Sequence, residues 1–169
     1  SYDVVAKAIK LMGSDSWYGR GNYVAIDNTD RLMINKYWEN LTDYFHGMSL
    51  NALVVADTSG SMTSGAGSVA PIDVAVSLAL YAAERNKGPF ANSYISFSRT
   101  AKFVETRGVD FCDKVDRIVK TNLCENTNLQ SVFDLVLNTA VRNHLRQADM
   151  PETIVIISDQ EIDSAQGYS

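Results

Sequence analysis

The sequence contains few of the residues that build metal or redox centres from sulfur and imidazole. Its 169 residues include two cysteines, Cys112 and Cys124, and two histidines, His46 and His144. Their spacing does not match a zinc-binding pattern, which argues against a structural zinc site. We interpret the cysteines as reduced thiols in or near a helix, which agrees with a cytoplasmic protein.

Long apolar runs and an excess of basic charge are also absent. No run is long enough to cross a bilayer and the N-terminus has no signal-peptide layout, so we expect a cytoplasmic protein without a membrane partner. The 15 Lys and Arg residues are outnumbered by 20 Asp and Glu residues, giving a formal net charge of -5. This balance disfavours non-specific nucleic-acid binding. Hydrophobic residues make up 46% of the chain, enough for one globular core.

Strand and helix patterns alternate from Ser49 onward, which predicts an α/β fold with a doubly wound, mainly parallel sheet and helices on both faces. Strands are predicted at 50–56, 93–98, 101–105 and 153–157. The connection at 99–100 is so short that the second and third strands must form an antiparallel hairpin. Helices are predicted at 2–12, 29–47, 71–85, 110–120 and 129–147. We divide the chain into a helical N-terminal extension, 1–47, and an α/β domain, 48–169.

In two of the predicted helices, the spacing of apolar residues indicates which face is buried. In the second helix the face carries Leu32, Met33, Tyr37, Leu41 and Phe45. The last helix is predicted to place its apolar stripe in the core, and that stripe contains Val132, Phe133, Val136, Ala140 and Leu145.

The segment Asp57-Thr58-Ser59-Gly60-Ser61-Met62 directly follows the first apolar strand. Open α/β folds place their ligands at the carboxyl ends of the strands. One carboxylate and two hydroxyls stand there at alternating positions, and Gly60 lets the loop turn tightly. Hard oxygen atoms in a compact loop suit a small divalent cation such as Mg²⁺.

A second apolar strand, 153–157, also ends in an acid, Asp159. If the two strands are neighbours, Asp57, Ser59, Ser61 and Asp159 converge, and a cation between them relieves the repulsion of the carboxylates. Thr127, in a polar loop before the last helix, supplies a third hydroxyl. Helix capping alone explains the Asp57 loop about as well, but the addition of Thr127 and Asp159 favours a metal site.

These motifs resemble those of von Willebrand factor A-like domains. The first matches their aspartate-x-serine-x-serine motif, Thr127-Asn128-Leu129 resembles the threonine motif, and Ser158-Asp159 resembles the aspartate motif. Together they form the metal-ion-dependent adhesion site, and the resemblance covers about 49–163. The residues in these motifs most resemble those of an uncharacterised bacterial and phage group. The domain of Ro-type RNA-binding proteins is a more distant relative.

The resemblance implies that Ser59 and Ser61 ligate Mg²⁺, or Mn²⁺ or Ca²⁺, directly. Thr127 would ligate directly or through water, and Asp57 and Asp159 would act mostly through water. An open coordination position would then accept a carboxylate from a protein partner. Gln160 replaces the glycine that usually follows the last aspartate, a departure at the rim of the ligand face.

The family usually continues with two further strands and their helices, whereas this sequence ends at Ser169. We therefore expect either a truncated chain or replacement of those elements by the N-terminal helices. If the chain is truncated, strand 153–157 is an apolar sheet edge, and such edges are prone to association. We predict that the N-terminal helices or another chain cover it.

Two other functions compete with a binding module. In a phosphohydrolase of the haloacid-dehalogenase type, Asp57 would attack phosphorus and Asp159 would hold magnesium. Ser59 then occupies the position of the usual second aspartate, and no lysine stands out to hold the phosphate. A ribonucleoprotein role is disfavoured by the acidic charge and by the lack of a basic aromatic cluster. A P-loop and a serine hydrolase are excluded, because the Gly-Lys pair and the Gly-x-Ser-x-Gly elbow are missing.

Overall fold

The computed structural model describes residues 3–11, 17, 25–47, 51–64, 69–121 and 128–160. The helices are α1 (Asp3–Leu11), α2 (Asn28–Glu39), α3 (Pro71–Arg85), α4 (Phe111–Thr121) and α5 (Gln130–Arg142). The strands are β1 (Ala52–Asp57), β2 (Ser93–Phe97), β3 (Ala101–Glu105) and β4 (Thr153–Ile157). Short 3-10 turns span Ser61–Thr63 and Gln147–Asp149.

The four strands form one mixed sheet in the order β3-β2-β1-β4. Strand β1 pairs in parallel with both β2 and β4, whereas β2 and β3 are antiparallel. The predicted α/β class, the mainly parallel sheet and the antiparallel edge hairpin are therefore confirmed. In the described part of the chain, no helix is both long and apolar enough to span a membrane.

Alternate residues of β1 face two hydrophobic clusters, as expected for a strand buried on both faces. Val54 and Ala56 pack into the larger cluster with α1, α3 and α4. Leu53 and Val55 pack on the opposite side, where Val132 and Val136 of α5 complete a smaller cluster. Helices thus lie on both faces of the sheet and hold its carboxyl edge in place.

The described part of the N-terminal extension shares the larger cluster with the sheet. Trp38 of α2 stacks on Phe111 of α4 with ring centroids 4.2 Å apart, and its indole N–H donates to Glu84 Oε2 at 2.9 Å. Trp17 donates from Nε1 to Oδ1 of the buried Asp73 at 2.7 Å. Burial raises the pKa of Asp73 despite this hydrogen bond.

The predicted apolar face of the second helix is wrong for three of its five residues, and the helix ends at Glu39 and not at Gly47. Leu41, beyond that end, does pack against the larger cluster. Leu32, Met33 and Tyr37 are half or more exposed, and the helix buries Ile34 and Trp38 instead. Asp27 rather than Thr29 caps the helix, because its carboxylate accepts the N–H of Thr29 at 2.9 Å. The aromatic stack and the bond to Glu84 determine the rotation of the helix.

Helix α5 is shorter than predicted, since it ends at Arg142 and not at Gln147. His144 lies just beyond it with a positive φ of 51°, which stops a right-handed helix. Val132 and Val136 are buried as predicted, but Phe133 is 45% exposed and so lies outside the core.

Among the described residues, strand β4 forms an edge of the sheet and is not buried on both faces. Val155 and Ile156 are each 38% exposed. The described helices of the N-terminal extension do not cover this strand as expected, because α1 and α2 pack on α3 and α4. Coverage by another chain stays a prediction.

Candidate functional site

Asp57 ends β1 at the carboxyl edge of the sheet, and its side chain is completely buried. Its Oδ1 accepts the backbone N–H of Ser59 at 2.9 Å, the local turn that an aspartate forms with the residue two positions on. Its Oδ2 accepts the hydroxyl of Ser158 at 2.5 Å. Two chain segments thus fix the orientation of this carboxylate.

The loop after Asp57 brings two hydroxyls together. The Oγ atoms of Ser59 and Ser61 lie 3.1 Å apart, with Ser59 buried and Ser61 partly exposed. Ser61 opens a 3-10 turn in which the Met62 N–H donates to the Ser59 carbonyl at 3.2 Å. The buried Met62 side chain packs into the larger hydrophobic cluster, so the loop is anchored to the core.

Thr58 has a different role from the two serines. Its N–H donates to the Phe97 carbonyl at 2.9 Å, and its hydroxyl lies 2.9 Å from the Ser96 hydroxyl. Both bonds tie the loop to β2. The sequence motif contains Thr58 only as a spacer, and Ser96 is recognised only once the parallel register of β1 and β2 is known.

Strand β4 brings Ser158 and Asp159 to the same edge. Ala56 pairs with Ile157 in the register of the two strands, so the residues that follow are neighbours. Ser158 makes the direct contact with Asp57, whereas Asp159 lies beside it in an exposed position. The sequence motif points to Asp159 and not to Ser158, whose role becomes visible only from the side-by-side register of the two strand ends.

Gln160 adopts a left-handed backbone conformation with a φ of 67°. Its N–H donates to the Ser158 hydroxyl at 3.0 Å, so this turn also fixes the serine. A left-handed φ favours glycine, because it brings the Cβ of other residues too close to the backbone. The turn therefore explains on physical grounds why a glycine suits this position.

Thr127 lies outside the described residues, as do Cys124, Glu161 and Asp163. The next residue, Asn128, is placed at the same edge of the sheet. Its N–H donates to the Ser98 carbonyl at 2.7 Å. Asn128 also accepts the Ser131 hydroxyl on its own carbonyl at 2.7 Å, which helps to start α5.

The charge of Asp57 is not neutralised by a basic side chain in the described segments, where no Lys, Arg or His forms an ion pair with it. Within those segments, no three residues of the types His, Cys, Asp and Glu gather into a metal cluster. Hydroxyl groups would therefore supply much of the ligand set at this edge.

Two other side chains that could take part in chemistry, Lys102 and Cys112, are not available for it. Lys102 of β3 stands opposite Ser96, but its ammonium donates to the Thr121 carbonyl at 2.5 Å, and burial lowers its pKa. No sequence motif points to this lysine. Cys112 is a buried free thiol in α4, and burial raises its pKa to about 11.

The fold and this edge define an α/β domain with a compact carboxylate and hydroxyl site at the ends of neighbouring parallel strands. Residues 51–169 match the family described as a domain of unknown function, DUF7788. Since the match covers more than half of the chain, the protein belongs to this family.

A relative in Acanthamoeba polyphaga mimivirus, the uncharacterized protein L728, is 29% identical over 143 residues. That alignment covers 83% of this chain but only 24% of the viral protein, so the chain spans about a quarter of its relative's length. No solved structure matches the chain. The resemblance to von Willebrand factor A-like domains stays a prediction.

Proposed function

We propose that this protein is a binding module that captures an acidic group of a protein partner through a divalent cation held at the carboxyl edge of its sheet. The cation would be Mg²⁺, or Mn²⁺ or Ca²⁺ in its place. The residues that would hold it are Asp57, Ser59, Ser61 and Asp159, together with Thr127. Ser158 joins them as the residue that orients Asp57.

One observation carries the proposal. The hydroxyls of Ser59 and Ser61 lie 3.1 Å apart, beside a fully buried carboxylate without a basic partner among the described residues. Mg²⁺ binds oxygen at about 2.0–2.1 Å in an octahedron, so adjacent ligand oxygens are about 3 Å apart. Burial of an uncompensated carboxylate is costly, and a bound cation removes that cost.

The bound cation would supply positive charge and a position for an oxygen ligand from outside. The chain itself orients the Asp57 carboxylate through the Ser59 N–H and the Ser158 hydroxyl. Carboxylates suit such a position because hard cations prefer oxygen ligands. An acidic side chain of a partner is therefore the ligand class that this site favours.

The buried state of Asp57 argues against phosphoryl transfer. A nucleophilic carboxylate must reach phosphorus directly, whereas Asp57 is completely buried and both of its oxygens accept hydrogen bonds. The contact with a cation proposed for Asp57 is mostly through water and does not need that direct approach. Lys102, near the same edge, donates its ammonium to a main-chain carbonyl. The geometry thus supports binding more than catalysis.

The test is metal-dependent stabilisation of the folded chain. Adding MgCl₂ or MnCl₂ should raise the unfolding temperature relative to NaCl of equal ionic strength. A cation at a hundred times its Kd adds about 2.7 kcal/mol. Ser59→Ala and Ser61→Ala should abolish this gain, whereas Ser64→Ala, an exposed serine of the same loop, should keep it.

Two results would overturn the proposal. One is a wild-type protein whose stability does not respond to any of the three cations. The other is a phosphatase activity that Asp57→Asn abolishes, which would favour the hydrolase instead. Crystals soaked in MnCl₂ should show anomalous density at Ser59 and Ser61.

A further inference from the structure

Arg99 is the central residue of the turn that follows β2, the strand paired with the end of β1. The turn Ser98–Thr100 connects β2 to β3 and is closed by a bond from the Ser98 N–H to the Thr100 carbonyl at 3.2 Å. The last residue of β2, Phe97, is the register partner of Asp57. Paired strands are about 4.8 Å apart, so this hairpin turn lies immediately beside the Asp57 loop.

The backbone around Arg99 is fixed on two sides. Phe97 accepts the Thr58 N–H at 2.9 Å from the Asp57 loop. Ser98 accepts the Asn128 N–H at 2.7 Å from the start of α5. The end of β2 and the turn are thus hydrogen-bonded to the Asp57 loop and to Asn128, the residue that follows Thr127 in the sequence, so the backbone that carries Arg99 is held beside both.

Arg99 is exposed and forms no ion pair within the segments that the structure describes. Most other described arginines are paired with acids, including Arg31 with Asp110 and Arg146 with Asp149. The hairpin turn beside the Asp57 loop therefore carries a guanidinium without an ion-pair partner among the described residues, in a chain whose net charge is -5. Guanidinium groups bind carboxylates through two parallel hydrogen bonds.

We infer that Arg99 is a specificity-determining residue that binds a second carboxylate of the ligand, which makes the preferred partner an acidic peptide segment with two neighbouring acids. The inference rests on the proposed metal-dependent function. In an extended peptide, residues two positions apart lie on one face at about 6.5–7 Å. One acid would engage the cation and the acid two positions away would engage Arg99.

Selection from a random peptide library tests this inference on the full chain in MgCl₂, with EDTA as the reference. Wild type should enrich peptides with acids at positions i and i+2, whereas Arg99→Gln should enrich a single acid. For a peptide selected on wild type, Arg99→Gln should weaken affinity about tenfold, as expected for one charged pair. Arg99→Lys should restore part of the affinity.

Arg142→Gln is the matched control, because Arg142 is also exposed and unpaired in the described segments but lies at the far end of α5. It should bind like wild type. Mg²⁺-dependent enrichment of one acid that Arg99→Gln does not change would overturn the Arg99 inference alone. Absence of any Mg²⁺-dependent enrichment would overturn the proposed function as well. Arg99-dependent binding of a single-stranded RNA in place of acidic peptides would also contradict the inference.

Discussion

The hydroxyl of Ser158 donates to Oδ2 of Asp57 at 2.5 Å, across 101 residues of sequence. The parallel register of β1 and β4 makes this contact, since it places Ala56 beside Ile157. An exposed edge strand therefore orients the most deeply buried acid of the site. The integrity of the site depends on correct pairing of that edge.

Ser158→Ala should destabilise the metal-free protein, because it removes one donor from a buried carboxylate. The expected loss in the free energy of unfolding is about 1–3 kcal/mol, measured by urea denaturation in EDTA. The same variant should bind Mg²⁺ more weakly, since Asp57 loses one of the two groups that orient it.

Ser64→Ala provides the comparison, as Ser64 is an exposed serine whose loss should change stability by less than about 0.5 kcal/mol. Equal stabilities for the two variants would show that the Ser158 hydroxyl does not support Asp57.

Asp57→Asn should leave the metal-free protein as stable as wild type, or more stable by about 1 kcal/mol. The amide oxygen can accept the Ser59 N–H, its NH₂ can donate to the Ser158 hydroxyl, and the buried charge is gone. Stabilisation by MgCl₂ should be lost at the same time. Urea denaturation with and without MgCl₂ measures both effects.

Strong destabilisation of Asp57→Asn in the absence of metal would contradict this prediction. If Asp57→Asn were strongly destabilised in EDTA, the carboxylate would have to be compensated by a positive group without any metal. Glu152→Gln, at an exposed position just before β4, should change metal-free stability by less than about 0.5 kcal/mol and so serves as the control.

Much of the sheet could be predicted from the sequence because its signals are local. The apolar run of β1, the proline that begins α3 and the short connection between β2 and β3 each dictate local geometry. The structure has these elements within a residue or two of the predicted bounds. The proximity of Asp57 to the end of β4 followed from the doubly wound topology alone.

The features that the sequence did not predict depend on contacts between residues far apart in the chain. Leu32, Met33 and Tyr37 form a convincing apolar stripe, but burial in α2 is decided by Trp38, which stacks on Phe111 and bonds to Glu84. Ser158 was missed because its partner is known only once the register is known. Local periodicity contains neither kind of information.

Trp38→Ala should destabilise the protein by about 3–5 kcal/mol, the usual cost of removing a large buried aromatic side chain. Trp38 is 6% exposed, and its loss also leaves Phe111 and Glu84 without their partner. Thermal or urea denaturation measures the change.

The neighbouring Tyr37 is 54% exposed, so Tyr37→Ala should cost less than about 1 kcal/mol. If the two variants were equally stable, α2 would not use the Trp38 face to pack against the domain, and the orientation of the helix described above would be wrong.

The ion pair between Arg31 and Asp110 should make stability depend on pH in a defined direction. Arg31 donates from Nε to Asp110 Oδ2 at 2.7 Å and from Nη2 to Oδ1 at 2.9 Å. These bonds lower the pKa of Asp110 below its ordinary value of 3.8. An acid whose pKa is lower in the folded state stabilises the fold above its unfolded pKa, and loses that contribution as the pH falls through its folded pKa.

Asp110→Asn should therefore be less stable than wild type at neutral pH, by about 1 kcal/mol because the arginine is partly exposed. The difference should shrink as the pH falls below 3.8, where wild-type Asp110 becomes protonated as well. Urea denaturation of both proteins at a series of pH values measures it. Arg31→Gln should show the same pH dependence, because it removes the other half of the pair. A wild-type advantage that stayed constant at acidic pH would mean that packing, and not the charge of Asp110, stabilises this contact between α2 and α4.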